Sequence, residues 1–443
     1  MRRDHWGSRL GFIMAAAGSA VGLGNIWKFP YMAGGHGGSA FLILYLAFVL
    51  GFGLALVIAE LVLGRMSGRN PVGAFRVMAG GAWPLVGGIG VLTAVLILSF
   101  YCVVAGWTIA YLFYAIEGAL DATSAGTLES LFNQLTGSGL APLCYAAAFM
   151  AISVVIVSRG VGSGIERASK LFMPLLFVVL VVMTARAVTL PGAGAGIAFL
   201  LKPDLSAIDG ETVSAALGQA FFSLSLGLGG LVTYGSYMRA SAHIGRDALA
   251  VVLLDTLVAM LAGLLIIPAM FAAGMTPGAG GAGTTFKVLP AVFAALPGGH
   301  WIAIGFFALL TLAALTSSVS LLEPIVAWLG DEHDIARGRA APLAGLACMV
   351  LAVPVSLSFG VWEHVRIMGY SIFGLLDFLT NNLSLPFGSL MTAIVVGWII
   401  GPRAVAALGP DGRPVGAWAQ AWLFVVRFVA PIGIVWILIQ GLV

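Results

Sequence analysis

Four groups of residues carry polar or conformationally permissive chemistry inside otherwise apolar sequence. The first reads Ala15-Ala16-Ala17-Gly18-Ser19-Ala20-Val21-Gly22-Leu23-Gly24-Asn25, the second Phe222-Ser223-Leu224-Ser225-Leu226-Gly227-Leu228-Gly229-Gly230. Glycine costs roughly 1 kcal/mol in a helix interior, so each cluster is a natural place for a helix to unwind and bare its peptide groups. Small residues also let membrane helices approach closely, and on the glycines alone close packing is the better reading. The third is Asp255, a carboxylate within an apolar run. A charge there is expensive and marks a functional candidate, the alternative being a structural ion pair. The fourth is Leu315-Thr316-Ser317-Ser318, whose hydroxyls by default bond back to carbonyls of their own helix.

Other chemistries find no support. The histidines, His5, His36, His243, His300, His333 and His364, are scattered and show no His/Glu metal spacing. Gly281-Ala282-Gly283-Thr284-Thr285 lacks the lysine and the preceding strand of a phosphate-binding loop. Cys102, Cys144 and Cys348 lie in or beside apolar stretches and read as buried thiols rather than a disulfide framework. The basic residues are dispersed and the net charge is +3, which gives no footprint for nucleic acid.

The elements that must position these groups follow from composition. Hydrophobic residues make up 60% of the chain, charged residues 9%, and the mean hydropathy is +1.06. Soluble domains carry about 25% charged residues, so this chain is dissolved in lipid. Spanning the hydrocarbon takes about 20 apolar residues, and only helices satisfy their backbone there. Eleven apolar runs qualify, near 9–33, 38–63, 84–118, 141–158, 167–188, 212–238, 246–273, 299–329, 341–358, 370–401 and 417–442. The chain is thus expected to be an all-α polytopic membrane protein in one transmembrane domain, 1–442. Ala17-Gly18-Ser19-Ala20 loosely resembles a signal-peptide cleavage site, but the preceding apolar run is short and the segment stays apolar beyond it.

Lysine and arginine orient the spans. With the N-terminus inside, Arg2, Arg3, Arg9, Arg65, Arg69, Arg76, Arg159, Arg167, Lys170, Arg239, Arg246, Arg337, Arg339, Arg403 and Arg413 fall on the inner side. The outer side holds only Lys28, Arg186, Lys202, Lys287 and Arg366, while Arg427 lies within the last span. The positive-inside bias therefore predicts a cytoplasmic N-terminus and an external C-terminus. The two glycine-serine clusters then fall in spans one and six, the first members of two five-span halves, 9–188 and 212–401, with 417–442 outside them. Interrupted helices at corresponding places in inverted halves mark a transporter's midplane site, and a continuous polar pore is not indicated.

Arg9-Leu10-Gly11, Gly22-Leu23-Gly24-Asn25-Ile26-Trp27-Lys28-Phe29-Pro30, Ser223-Leu224-Ser225-Leu226-Gly227 and Leu315-Thr316-Ser317-Ser318 together resemble the neurotransmitter:sodium symporter family. The likeness covers nearly the whole chain, and eleven spans are similar to its bacterial branch, which implies residence in a bacterial inner membrane. It implies a 5+5 inverted-repeat fold with discontinuous first and sixth spans plus an eleventh helix, acting as a monomer or loose homodimer. It implies no enzyme but a sodium-coupled symporter of a small neutral, hydrophobic amino acid, driven by two sodium ions. Another zwitterion or osmolyte, or a sensor that binds without transporting, stays open.

The same resemblance assigns residues. One sodium site would use the carbonyls of Gly18, Val21 and Ala313 with the hydroxyls of Thr316 and Ser317. A second would use Ala20, Asn25, Ser223 and Asp255. Many relatives carry asparagine at the Asp255 position, and chloride-dependent ones a serine where this chain has Ala259; Asp255 would then supply the fixed negative charge and make chloride unnecessary. The substrate shell would be Ser19, Ala20, Gly22, Ile97, Tyr101, Phe222, Ser223, Ser225, Leu228, Ser317 and Leu321. Gly22 replaces the aspartate of monoamine carriers, which favours a substrate bringing its own carboxylate. The outer gate would be Tyr101 and Phe222 as a lid, with Lys28 facing Asp377; lysine in place of the usual arginine loses the bidentate fork and predicts a weaker or water-mediated contact. The inner gate would pair Arg3 with Asp331, backed by Trp6. Gly164 and Pro174 in span five match a bacterial motif whose helix unwinds, although a plain proline kink competes with that reading.

Overall fold

The computed structural model describes residues 4–121, 125–275, 277, 284–412 and 415–440. Among them there is no strand, only one isolated bridge between Ile367 and Tyr370. Among the described residues, nine helices are long and apolar enough to cross a membrane unbroken: Ser39–Ser67, Pro84–Ile116, Ala141–Ser158, Val161–Val188, Ile244–Ala272, Gly299–His333, Arg337–Leu357, Ile372–Ile399 and Trp418–Gln440. They are spans 2 to 5 and 7 to 11 in chain order. Span 1 is a bent pair, Arg9–Ala20 and Gly24–Gly35, with a 50° angle at its break. Span 6 is likewise two pieces, Gly210–Ser223 and Gly230–Ser236, parted by six residues. Nine unbroken helices and the bent pair make ten among the described residues; the broken helix at 210–236 stands where the remaining span was expected, and both expected interruptions are present.

The ends have local causes. Ser8 begins span 1 by accepting from the Gly11 amide, and Asp209 begins span 6 by accepting from the Thr212 amide at 2.8 Å, both ordinary N-cap chemistry. Gly68 closes span 2 in the left-handed conformation. Apolar run length locates the spans but misses their polar turns: span 8 extends to His333 rather than 329, and span 9 starts at Arg337 rather than 341. The connectors also hold short helices that such run lengths do not reveal, among them Pro71–Met78, Ala125–Gly137, Ala193–Leu201 and Thr284–Ala294. At most thirteen residues long, they cannot cross.

Spans 3 and 8 form the centre, with 72% and 67% of their apolar windows buried, against 33% for spans 4, 5 and 11, which face lipid. Span 8 packs along span 3, and the first half of span 1 packs against spans 5, 7 and 8. Both breaks therefore lie inside the bundle, where irregular backbone is tolerated. Cys102 and Cys348 are buried, but Cys144 is exposed on span 4, contrary to the expectation for all three thiols. Span 5 runs as helix through both Gly164 and Pro174, with widened turns only at Val161–Glu166, so the unwinding expected there is absent from this conformation. Gly164 instead lets span 5 press on span 4: a Cβ there would sit 2.0 Å from the Ile156 carbonyl oxygen.

Candidate functional site

Where span 1 breaks, Val21 turns to extended backbone, and span 8 meets the freed carbonyls. Ser317 Oγ lies 3.2 Å from the Gly18 oxygen, 3.4 Å from that of Ser19 and 3.2 Å from that of Val21. Thr316 Oγ1 is 3.4 Å from the Val21 oxygen and 2.9 Å from that of Ala313 on its own helix. Two hydroxyls have two protons to donate, while four carbonyl oxygens surround them. Such an excess of neutral oxygen acceptors over donors is the chemistry that holds a hard monovalent cation. Back-bonding, the default for such hydroxyls, describes Ser318, which donates to Leu315 at 3.0 Å, but not Ser317. All five residues assigned to this sodium site are thus brought together.

The second set is also assembled, but its members satisfy one another. Asn25 Nδ2 donates to Asp255 Oδ1 at 2.7 Å, to the Asp255 carbonyl at 3.2 Å and to Ser223 Oγ at 3.0 Å. Ser223 Oγ donates to Asp255 Oδ2 at 2.8 Å, and the Tyr45 hydroxyl lies 3.2 Å from Ser223 Oγ and 3.5 Å from Asp255 Oδ2. Asp255 is fully buried, and among the described residues it forms no ion pair, so the structural-ion-pair alternative fails. Asn25 serves here as a donor, and its oxygen accepts from the Gly22 amide at 3.2 Å. To ligate a cation beside Asp255 the amide would have to turn.

Between the breaks lies a cavity of about 40 Å³, lined by Ser19, Ala20, Gly22, Ile97, Tyr101, Phe222, Ser225, Leu228, Ser317 and Leu321, with Leu23, Gly24 and Leu385 in addition. Every residue assigned to the substrate shell is on this wall except Ser223, which points to Asp255 instead. No charged side chain lines it. That volume holds only a few water molecules, so a larger molecule needs its side chains to give way. Gly22 is required by space: a Cβ there would come 2.4 Å from Ser317 Oγ and 3.2 Å from the Tyr101 hydroxyl. Gly24 similarly makes room for the Phe222 ring, 2.5 Å from where its Cβ would stand.

The break in span 6 is fixed differently. Ser225, Gly227 and Gly229 adopt positive φ of 52°, 85° and 79°. The Gly227 amide donates to Glu60 Oε1 at 2.7 Å, and Ser225 Oγ donates to the Ser19 carbonyl at 3.1 Å, joining the two breaks. Glu60, buried in span 2, and Gln219, whose Nε2 donates to the Gly24 carbonyl at 3.1 Å, are missing from the residues singled out by sequence. So is Glu323, which accepts from the Tyr237 hydroxyl at 2.6 Å and pairs with Arg337. The signal was present, since a carboxylate inside an apolar run is as unusual at Glu60 and Glu323 as at Asp255.

Tyr101 and Phe222, assigned to an outer gate, line the cavity, but Lys28, assigned to the same gate, does not pair with Asp377. Its ammonium stands over the Phe222 ring, 4.2 Å from the centroid, while Asp377 accepts from Asn381 Nδ2 at 2.6 Å. A point-like ammonium on a flexible stem has no bidentate geometry to hold it on a carboxylate, and an aromatic face competes for it. On the arginine-rich side, Trp6 is buried, its Nε1 donating to the Tyr234 carbonyl at 3.0 Å and its ring edge-on to Phe12, Tyr234 and Tyr237. Asp331 accepts from the Asn70 amide at 2.9 Å and its Nδ2 at 3.1 Å. Arg3 lies outside the described residues. Asp331 also lines a cavity of about 550 Å³, with Asp4, Arg69, Asp334 and Arg337 among others.

Comparison with known proteins agrees with this geometry. The model of the sodium:neurotransmitter symporter family matches residues 3–134 and 133–443. An uncharacterized sodium-dependent transporter of Bacillus subtilis is 39% identical over 97% of this chain and 96% of its own. One of Haemophilus influenzae is 35% identical over 100% and 98%. The crystal structure of MhsT in complex with L-phenylalanine superposes with a TM-score of 0.91 at 43% identity, covering 99% of this chain and all of that one. A multi-pass helical chain with two interrupted spans and an oxygen-lined pocket between them, matched along its whole length, is a sodium-dependent transporter and belongs to the sodium:neurotransmitter symporter family.

Proposed function

We propose that the chain imports a neutral, hydrophobic L-amino acid by symport with two sodium ions, alternating access between the two faces of a bacterial inner membrane. The observation that carries this reading is the uncharged cavity between the breaks, bordered by the acceptor-rich oxygens of Gly18, Val21, Ala313, Thr316 and Ser317. A zwitterion can place its carboxylate toward the cation sites and its side chain among Ile97, Phe222, Leu228 and Leu321. The complex named for MhsT, with L-phenylalanine, supports an apolar side chain. The N-terminus is cytoplasmic and the C-terminus external, and the two halves, 9–188 and 212–401, exchange access by inverted motions as a monomer or loose homodimer. Asp255, beside Asn25 and Ser223, supplies the fixed anion for the second sodium site. One charge moving down 100 mV yields about 2.3 kcal/mol and a tenfold sodium gradient about 1.4. Two ions thus supply roughly 7 kcal/mol, enough for about 10⁵-fold accumulation of a zwitterion.

The test is uptake of radiolabelled amino acids into proteoliposomes. L-phenylalanine or L-leucine should accumulate with external sodium and not with choline, and replacing chloride by gluconate should leave the rate unchanged. Sodium-dependent binding without accumulation would identify a sensor. Uptake that stops in gluconate would remove the role given to Asp255.

A further inference from the structure

Away from the transport path, a groove of about 380 Å³ opens between spans 2, 7 and 11 at the arginine-rich end of the bundle. Leu54, Ile58, Leu249 and Leu408 form its apolar walls, and Trp418 lies against the start of span 7, where a Cβ on Gly245 would be 2.8 Å from the indole. His243 and Arg246 stand at its mouth. Both are exposed, and among the described residues neither side chain has a hydrogen-bond or ion-pair partner. The neighbouring carboxylate, Asp247, is already held by Arg9 at 2.6 Å. A second recess of about 210 Å³ shares His243 and adds Arg239, extending the positive face toward the N-terminal segment.

An apolar trough at bilayer depth is filled by an acyl chain whatever its headgroup, and the two unpartnered basic side chains at its rim select the charge of that headgroup. Tryptophan beside them is the residue that settles at the membrane interface, and basic side chains near a leaflet surface draw anionic lipids. We propose that this groove holds one anionic phospholipid of the cytoplasmic leaflet, its phosphate on Arg246 and His243 and one acyl chain along Leu54, Ile58 and Leu249. The leaflet follows from the orientation proposed above; the site does not depend on which solute is carried. It sits where the loop before span 7 is tied to the linker before span 11. The Asp411 amide donates to the Ala240 carbonyl at 2.9 Å, and Arg65 bridges the carbonyls of Ala242 and Gly409 at 2.8 and 3.2 Å. A lipid lodged there staples the two spans at this junction.

Native mass spectrometry of the full chain, released from micelles containing equal phosphatidylglycerol and phosphatidylethanolamine, tests the site. The wild-type protein should retain phosphatidylglycerol in preference, and Arg246→Gln should lower that retention about fivefold, the effect of one lost charge near a membrane surface. Leu249→Trp, which fills the trough and leaves the charges in place, should lower it as well. Equal retention of the two lipids by the wild-type protein overturns the proposal. Loss in Arg246→Gln with no change in Leu249→Trp also overturns it, since the charges alone would then be attracting lipid without a groove.

Discussion

The two helix breaks use the same residue type for opposite purposes. In span 1 no glycine between Gly18 and Gly24 has a positive φ. Those glycines are there for room, against Thr316, Ser317 and the Phe222 ring, and the backbone they expose turns carbonyls toward span 8. In span 6, Gly227 and Gly229 are in the left-handed region, and the exposed group that is caught is an amide, held by Glu60. One break bares carbonyl oxygen toward span 8; the other is pinned through nitrogen to an acid. A transporter needs both, a site that can be emptied and a frame that keeps its shape, and the pinning partner tells them apart.

Gly227→Ala should have the largest effect. Its left-handed backbone costs a side chain roughly 1–2 kcal/mol, and the new Cβ would stand 2.1 Å from the Leu385 carbonyl, backbone that cannot rotate aside. Loss of a monodisperse protein peak, or complete loss of uptake in what folds, is expected. A normally active Gly227→Ala protein would erase the distinction between the two breaks. Glu60→Ala comes next. It leaves the buried Gly227 amide unpaired, at a cost of about 1–3 kcal/mol. Glu60→Gln keeps an acceptor of the same shape. Thermal unfolding in detergent should show the alanine protein markedly less stable and the glutamine protein near wild type.

What the sequence revealed and what it hid divides along the same line. The long spans were legible because lipid imposes long apolar runs, and both breaks because small residues interrupt those runs at matching places. The clustering of Asn25, Ser223 and Asp255 was legible only through family likeness, since 198 and 230 residues separate Asn25 from its partners. Glu60 was passed over although its carboxylate is as anomalous as that of Asp255, because its partner is a backbone amide 167 residues away that no side-chain pattern announces. The Lys28 contact was misassigned for a similar reason. The choice between a carboxylate and an aromatic face depends on which lies closer in three dimensions, and Asn381 occupying Asp377 is invisible in a motif.

Gly22→Ala tests the span 1 side of the comparison. Here the obstructing atom is Ser317 Oγ, a hydroxyl that can swing away, so the protein should fold and lose function locally. Displacing Ser317 from the Gly18 and Val21 carbonyls should raise the sodium concentration for half-maximal uptake at least tenfold, about 1.4 kcal/mol, with thermal stability near wild type. If Gly22→Ala instead unfolded the protein as Gly227→Ala is expected to, room would not be the purpose of that glycine.

Ser225 is where the breaks touch, and it should give the smallest and most informative effect. Its φ of 52° is unfavourable for a side chain, roughly 1–2 kcal/mol, yet its hydroxyl donates to the Ser19 carbonyl, a bond of about 0.5–1.5 kcal/mol. Ser225→Gly removes strain and bond together, and stability should change by less than about 0.5 kcal/mol. Ser225→Ala keeps the strain and loses the bond, so it should fall about 1 kcal/mol below wild type in thermal unfolding. Both free the Ser19 oxygen, so they should shift the substrate concentration for half-maximal uptake equally. If only the alanine protein changed its uptake, the strained backbone of span 6 would govern binding. If the two moved together while their stabilities diverged, the hydroxyl bridge would be the coupling between a frame pinned by an acid and a site open to a cation.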